Sequence, residues 1–112
     1  MRKTKKKTNR PTALELAKQY VRMCEQINVP ISRAILFGSQ ARGTAHGDSD
    51  IDLLLVSPKF TRDTLKNWQM LVPVTAKLFD VEPHPYREKN FRKGDPFLEE
   101  VMREGIEVVG DD

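Results

Sequence analysis

ILFGSQARGTAHGDSDIDLLLV, residues Ile35 to Val56, decides how this chain folds. Its apolar start reads as the end of a strand that begins at Ile31 and stops at Gly38. Its end, Ile51 to Val56, is a near-continuous apolar run, as expected of a strand buried on both faces, and Ser57-Pro58 closes it. Between them, Gly38 to Asp48 holds three glycines among small polar residues, too irregular for a strand. Asp50 and Asp52 stand two apart at the start of the second strand. That spacing points both carboxylates to one face, about 7 Å apart along the backbone, while Ile51 turns into the core. Several hard oxygen ligands at a sheet edge suit Mg²⁺. Upstream, glycine at position 38 lets a phosphate approach the backbone, and a short helix starting at Ser39 would turn its amides and hydroxyl towards that phosphate. A metal-binding edge beside an anion-binding turn is what phosphoryl transfer requires.

Outward from this stretch, helices and strands alternate. Thr12 and Glu15 form a capping box at the head of a helix, along which Ala13, Leu16, Ala17, Tyr20, Val21, Cys24 and Ile27 make an apolar stripe. Asn28 and Pro30 stop it. Thr61 to Lys77 suits a helix, kinked or shortened by Pro73. Leu78 to Glu82 reads as a third strand, cut short by Pro83 and Pro85. Asp95-Pro96 marks an N-cap with proline in the first turn, Gly105 closes that helix, and Ile106 to Val109 is a last short strand. The expectation is one α+β domain, a mixed β-sheet of about four strands flanked by helices, over residues 12–112.

The 112 residues suffice for one domain, with 38% apolar and 31% charged residues. The net charge of +3 is unevenly spread: residues 1–10 hold six bases and no acids, leaving −3 on the remainder. Residues 1–11 therefore read as a basic, disordered tail, and the acidic body counts against duplex DNA as the main partner. No run approaches the roughly 18 apolar residues of a membrane span, and the charged start does not resemble a signal peptide. Cys24, the one cysteine, reads as a buried helix thiol. A cytoplasmic location is the default.

Competing motifs fail on the same letters. Asp48, Asp50 and Asp52 imitate an EF-hand opening, but its glycine and glutamate positions hold Leu53 and Lys59. A GxxxxGK[ST] loop needs lysine where Thr44 follows Gly43. Haloacid-type phosphatases and many glycosyltransferases also pair aspartates two apart; theirs close an apolar strand, whereas Asp50 and Asp52 open one.

Gly38-Ser39, then Ala41-Arg42-Gly43, then Ser49-Asp50-Ile51-Asp52-Leu53 resembles the minimal nucleotidyltransferases of the DNA polymerase β-like superfamily. The resemblance runs from about Thr12 to Val109. It implies a two-metal mechanism with Mg²⁺ and ATP or another nucleoside triphosphate. Gly38 and Ser39 would hold the triphosphate, and Asp50 and Asp52 the metals. It also implies a third carboxylate on a neighbouring strand, bridging to a metal and assisting deprotonation of the nucleophile. Glu82 is favoured, from its distance to Phe91, with Asp80 as the fallback; aspartate is commoner there in the family.

Arg42 either touches the triphosphate or braces the loop through Asp48. His46 reads as a solvated loop residue, His84 lacks Cys or His partners at zinc spacing, and Trp68 reads as core or interface. Larger relatives add a domain for the acceptor, for which this length leaves no room, so the acceptor is expected on a separate protein. The resemblance extends to antitoxins that pair with helical HEPN ribonuclease toxins and can transfer AMP to a tyrosine on them. Two other readings stand beside it. One is a binding module that neutralises its partner by contact; the other is nucleic-acid binding through the basic tail.

Overall fold

Thr12 caps helix α1 (Ala13–Gln26): its hydroxyl accepts from the Glu15 amide at 3.1 Å, and Glu15 accepts from the Thr12 amide at 2.9 Å. The computed structural model describes residues 11–43 and 50–109, so the basic residues 1–10 lie outside it. Asn28, at φ 67°, turns the chain out of α1 and into strand β1 (Arg33–Phe37). A four-residue helix α2 (Ser39–Arg42) follows, then β2 (Ile51–Ser57) and α3 (Thr64–Thr75). The chain continues as β3 (Val81–Arg87), α4 (Glu88–Lys93), α5 (Pro96–Glu104) and β4 (Ile106–Val109).

The strands form one mixed sheet in the order β3-β2-β1-β4. β2 runs parallel to β3 and antiparallel to β1, which pairs antiparallel with β4. Alternation along the central strands feeds two cores. Ile51, Leu53 and Leu55 of β2 meet Ala34 and Leu36 of β1 under α1 and α3, against Tyr20, Cys24, Leu71 and Val74. Leu54 and Val56 meet Ile35 on the opposite face, covered by Leu98 and Val101 of α5. Leu53, Leu54 and Leu55 are all fully buried, each worth about 1.5–3 kcal/mol relative to exposure. This confirms β2 as the two-faced strand that its apolar run announces. Among the described residues, no helix is long and apolar enough to cross a membrane.

Several boundaries differ from expectation, those of β3 and α3 most. β3 begins at Val81 and runs straight through Pro83 and Pro85. Among the described residues it is an edge strand paired only with β2, and the two prolines alternate with Glu82, His84 and Tyr86 along it. Their missing N–H groups therefore face the open edge, where no ladder bond is lost. α3 starts at Thr64 because Asp63 caps it, accepting from the Lys66 amide at 3.2 Å. The preceding turn is tied by buried Asn67, whose Oδ1 accepts from the Thr61 amide and whose Nδ2 donates to the Thr61 carbonyl, both at 2.8 Å. Pro73 sits inside α3, which ends two residues later. The short helix α4 was not evident from periodicity, being only six residues long.

Candidate active site

Strand register brings the acids together. Asp52 of β2 lies opposite Phe37 of antiparallel β1 and opposite Glu82 of parallel β3. The three positions form a row across the sheet, at the end where β1 finishes and β2 and β3 begin. Immediately beyond Phe37 the chain turns at Gly38, with φ 77° and ψ −155°, a conformation essentially reserved for glycine. A Cβ built there would lie 3.3 Å from Cγ of Asp52 and would overlap its Oδ2. The backbone of the turn thus abuts the carboxylate, and only hydrogen at position 38 permits it.

Ser39 opens α2, as its sequence suggests. The amides of Ala41 and Arg42 both donate to the Gly38 carbonyl at 3.1 Å, and Gly43 ends the turn in the left-handed region. Arg42 reaches α5: Nη1 stands 3.5 Å from Oε1 of Glu104, in a half-exposed pair. The alternative brace, Asp48, lies outside the described residues, as do His46 and Ser49.

The remaining acids divide. Asp50 is exposed, one residue ahead of β2, so the sheet ladder that fixes Asp52 does not extend to it. Asp80 is also exposed and precedes β3; its carbonyl, not its carboxylate, serves the sheet, accepting from the Ile51 amide at 3.0 Å. Glu82 is exposed on β3 and joins Asp52 and His84 in a group whose ligand atoms all lie within 4.8 Å of one another. Nε2 of His84 is 3.2 Å from Oδ1 of Asp52. Its ring meets the Phe37 ring edge-on, centroids 5.0 Å apart, and Phe37 in turn meets Phe97 of α5 at 5.6 Å.

His84 is the residue that sequence reasoning passed over. A search for cysteine or histidine partners at zinc spacing could not find it, because one of its partners, Asp52, is 32 residues away. The usable signal was the two-residue strand period, which sets His84 on the face of Glu82. Two carboxylates on register neighbours repel, and a divalent cation between them relieves that repulsion. Two oxygen donors and one imidazole within this span fit such an ion.

Comparison with known proteins adds independent findings. The family model described as a nucleotidyltransferase domain matches residues 17–107. The chain is similar to a protein of Methanocaldococcus jannaschii assigned as a protein adenylyltransferase: 33% identical over 81 residues, covering 70% of this chain and 79% of that one. Among solved structures it resembles a chain from a toxin–antitoxin complex with AMP-PNP, at TM-score 0.60 and 25% identity, over 85% of this chain and 74% of that one. It shares its fold with a chain from the Shewanella oneidensis complex of a tri-AMPylated HEPN toxin with MNT antitoxin. There the TM-score is 0.54 and the identity 19%, over 88% of this chain and 73% of that one.

Proposed function

This chain belongs to the nucleotidyltransferase domain family, and on that premise we propose that it transfers AMP from ATP to a hydroxyl on a separate protein. The proposed acceptor is a HEPN-type helical toxin in the cytoplasm, with this chain as its antitoxin. The observation that carries the reading is the position of Asp52. One carboxylate lies against the Gly38 turn and directly across the strand ladder from Glu82. Support for the protein acceptor comes from the similarity to a protein adenylyltransferase and to chains of toxin–antitoxin complexes.

In this reading Gly38 and Ser39 hold the triphosphate through backbone and hydroxyl, and Arg42 neutralises part of its charge. Asp50, Asp52 and Glu82 hold Mg²⁺, two ions being expected, which supplies Lewis acidity and charge neutralisation at the phosphates. The acceptor hydroxyl oxygen bonds to the α-phosphorus, and the bond from that phosphorus to the β-bridging oxygen breaks. Pyrophosphate leaves with the electron pair, and the hydroxyl proton passes to Glu82, whose exposure leaves it open to an incoming protein. An adenylate placed beside a ribonuclease site would repel RNA phosphates, which is how the modification would silence the toxin.

The test incubates the purified chain with Mg²⁺, ATP labelled at the α-phosphate, and the helical protein encoded beside it. Label on a hydroxyl side chain of that protein, lost with Asp52→Asn, is the expected outcome. If no label moves, and Asp50→Ala with Asp52→Ala still protects cells from the toxin, neutralisation is by contact and the enzymatic reading is wrong.

A further inference from the structure

We propose that His84 is itself a ligand of the ion held by Asp52 and Glu82, and that its nitrogen moves the site's preference from Mg²⁺ towards Mn²⁺. This rests on the reading that those two carboxylates hold the ion. Glu82 and His84 are two apart on β3, so the strand presents both on one face, and β2 sets Asp52 opposite Glu82. The nearest imidazole nitrogen is 3.2 Å from an Asp52 oxygen, and all three ligand atoms fall within 4.8 Å of one another. Donors bonded at about 2.1 Å to a common ion lie roughly 3–4 Å apart, so this set needs little rearrangement to share one.

The ring is also held in place. Pro83 and Pro85 restrict the backbone on either side, and the Phe37 edge packs against the imidazole at 5.0 Å. Phe37 is fixed in turn by Phe97. An imidazole steadied by aromatic packing and aimed at a carboxylate is preorganised for coordination. Mg²⁺ demands oxygen ligands in near-ideal octahedral geometry and retains water, whereas Mn²⁺, although it too suits oxygen and stands at the weak end of the transition series, is the softer ion and takes a nitrogen donor at less cost. One nitrogen among the ligands therefore discriminates between two ions that an all-carboxylate site would treat more alike.

The experiment is pulsed electron paramagnetic resonance on the full chain loaded with Mn²⁺ alone and with Mn²⁺ plus a non-hydrolysable ATP analogue. Nitrogen modulation from a directly bound imidazole is expected in the wild type. It should change on ¹⁵N-histidine labelling, persist in His46→Gln and vanish in His84→Gln. Competition between the two ions should show the Mn²⁺ over Mg²⁺ preference falling about tenfold or more in His84→Gln, the scale at which loss of a supporting group weakens metal sites. Mn²⁺ bound at this site by the wild type without nitrogen modulation overturns the assignment and leaves His84 a hydrogen-bond partner of Asp52; the proposed transferase reading would survive that result. A wild-type chain that binds no Mn²⁺ even with the analogue present overturns both.

Discussion

Gly38 and Asp52 touch so closely that position 38 has no room for a side chain: a Cβ there would run into the Asp52 carboxylate. The turn proposed to bind phosphate and the proposed metal ligand are therefore packed as one unit, in which a shift of either presses on the other.

Gly38→Ala should consequently cost more than strain. Leaving the glycine-only conformation at φ 77° and ψ −155° costs about 1–3 kcal/mol. The methyl would also displace Asp52, and a misplacement near 1 Å can cost about a hundredfold in rate. Gly43→Ala is the control. Its φ is also 77°, but a Cβ there meets nothing within 4 Å, so we expect a loss of about 1–2 kcal/mol and near-normal transfer. Urea denaturation and initial rates of label transfer separate the two.

Asn67→Ala should destabilise the chain by about 1–2 kcal/mol, because a single buried amide satisfies both backbone groups of Thr61. Thr61 is itself exposed, so water recovers part of the loss. Transfer rates below the melting range should be unaffected, since the turn lies in the loop between β2 and α3, away from the acids.

Cys24 carries a pH signature. Burial pushes its thiol up to about 12 from an ordinary 9.0, with Glu25 adding to the effect. The unfolded chain loses this proton first, so the stability associated with it is complete below pH 9 and is lost as pH climbs from there towards 12. Between pH 8 and 10 the wild type should lose at most about 1.4 kcal/mol more than Cys24→Ala. The comparison must stop near pH 10, because burial raises the Tyr20 hydroxyl as well and it contributes above that. Native Cys24 should also react with thiol reagents only as fast as the protein unfolds.

What the residues announced and what they hid follow from the range of the forces involved. The Thr12 and Glu15 cap, the Asp95-Pro96 start and the helix at Ser39 are local chemistry, and all three form as read. The apolar run of β2 reports burial on both faces without any knowledge of partners. Proline judged by its own missing N–H ends β3 too early, because the cost depends on which side of the strand has a neighbour. That is tertiary information. The same limit explains Asp50, which the DxD spacing places on a regular strand although the ladder begins at Ile51. It also explains Arg42, whose partner Glu104 belongs to the far end of the chain.

Kinetics can separate the two roles open to Arg42. If it binds the triphosphate, Arg42→Ala raises the KM for ATP while Glu104→Gln leaves it unchanged or lowers it by freeing the guanidinium. If it only ties α2 to α5, both substitutions act alike. Stability should move by less than about 1 kcal/mol in either variant, as the pair is half-exposed.

Asp52, Glu82 and the Gly38 turn converge at one end of the sheet. Crystals soaked with Mn²⁺ and a non-hydrolysable ATP analogue, with data collected at the manganese absorption edge, test it directly. Anomalous peaks against Asp52 and Glu82, with the triphosphate lying on the Gly38–Ser39 turn, are the predicted result. Manganese bound at another surface, or a triphosphate that leaves Gly38 and Ser39 untouched, would contradict the account.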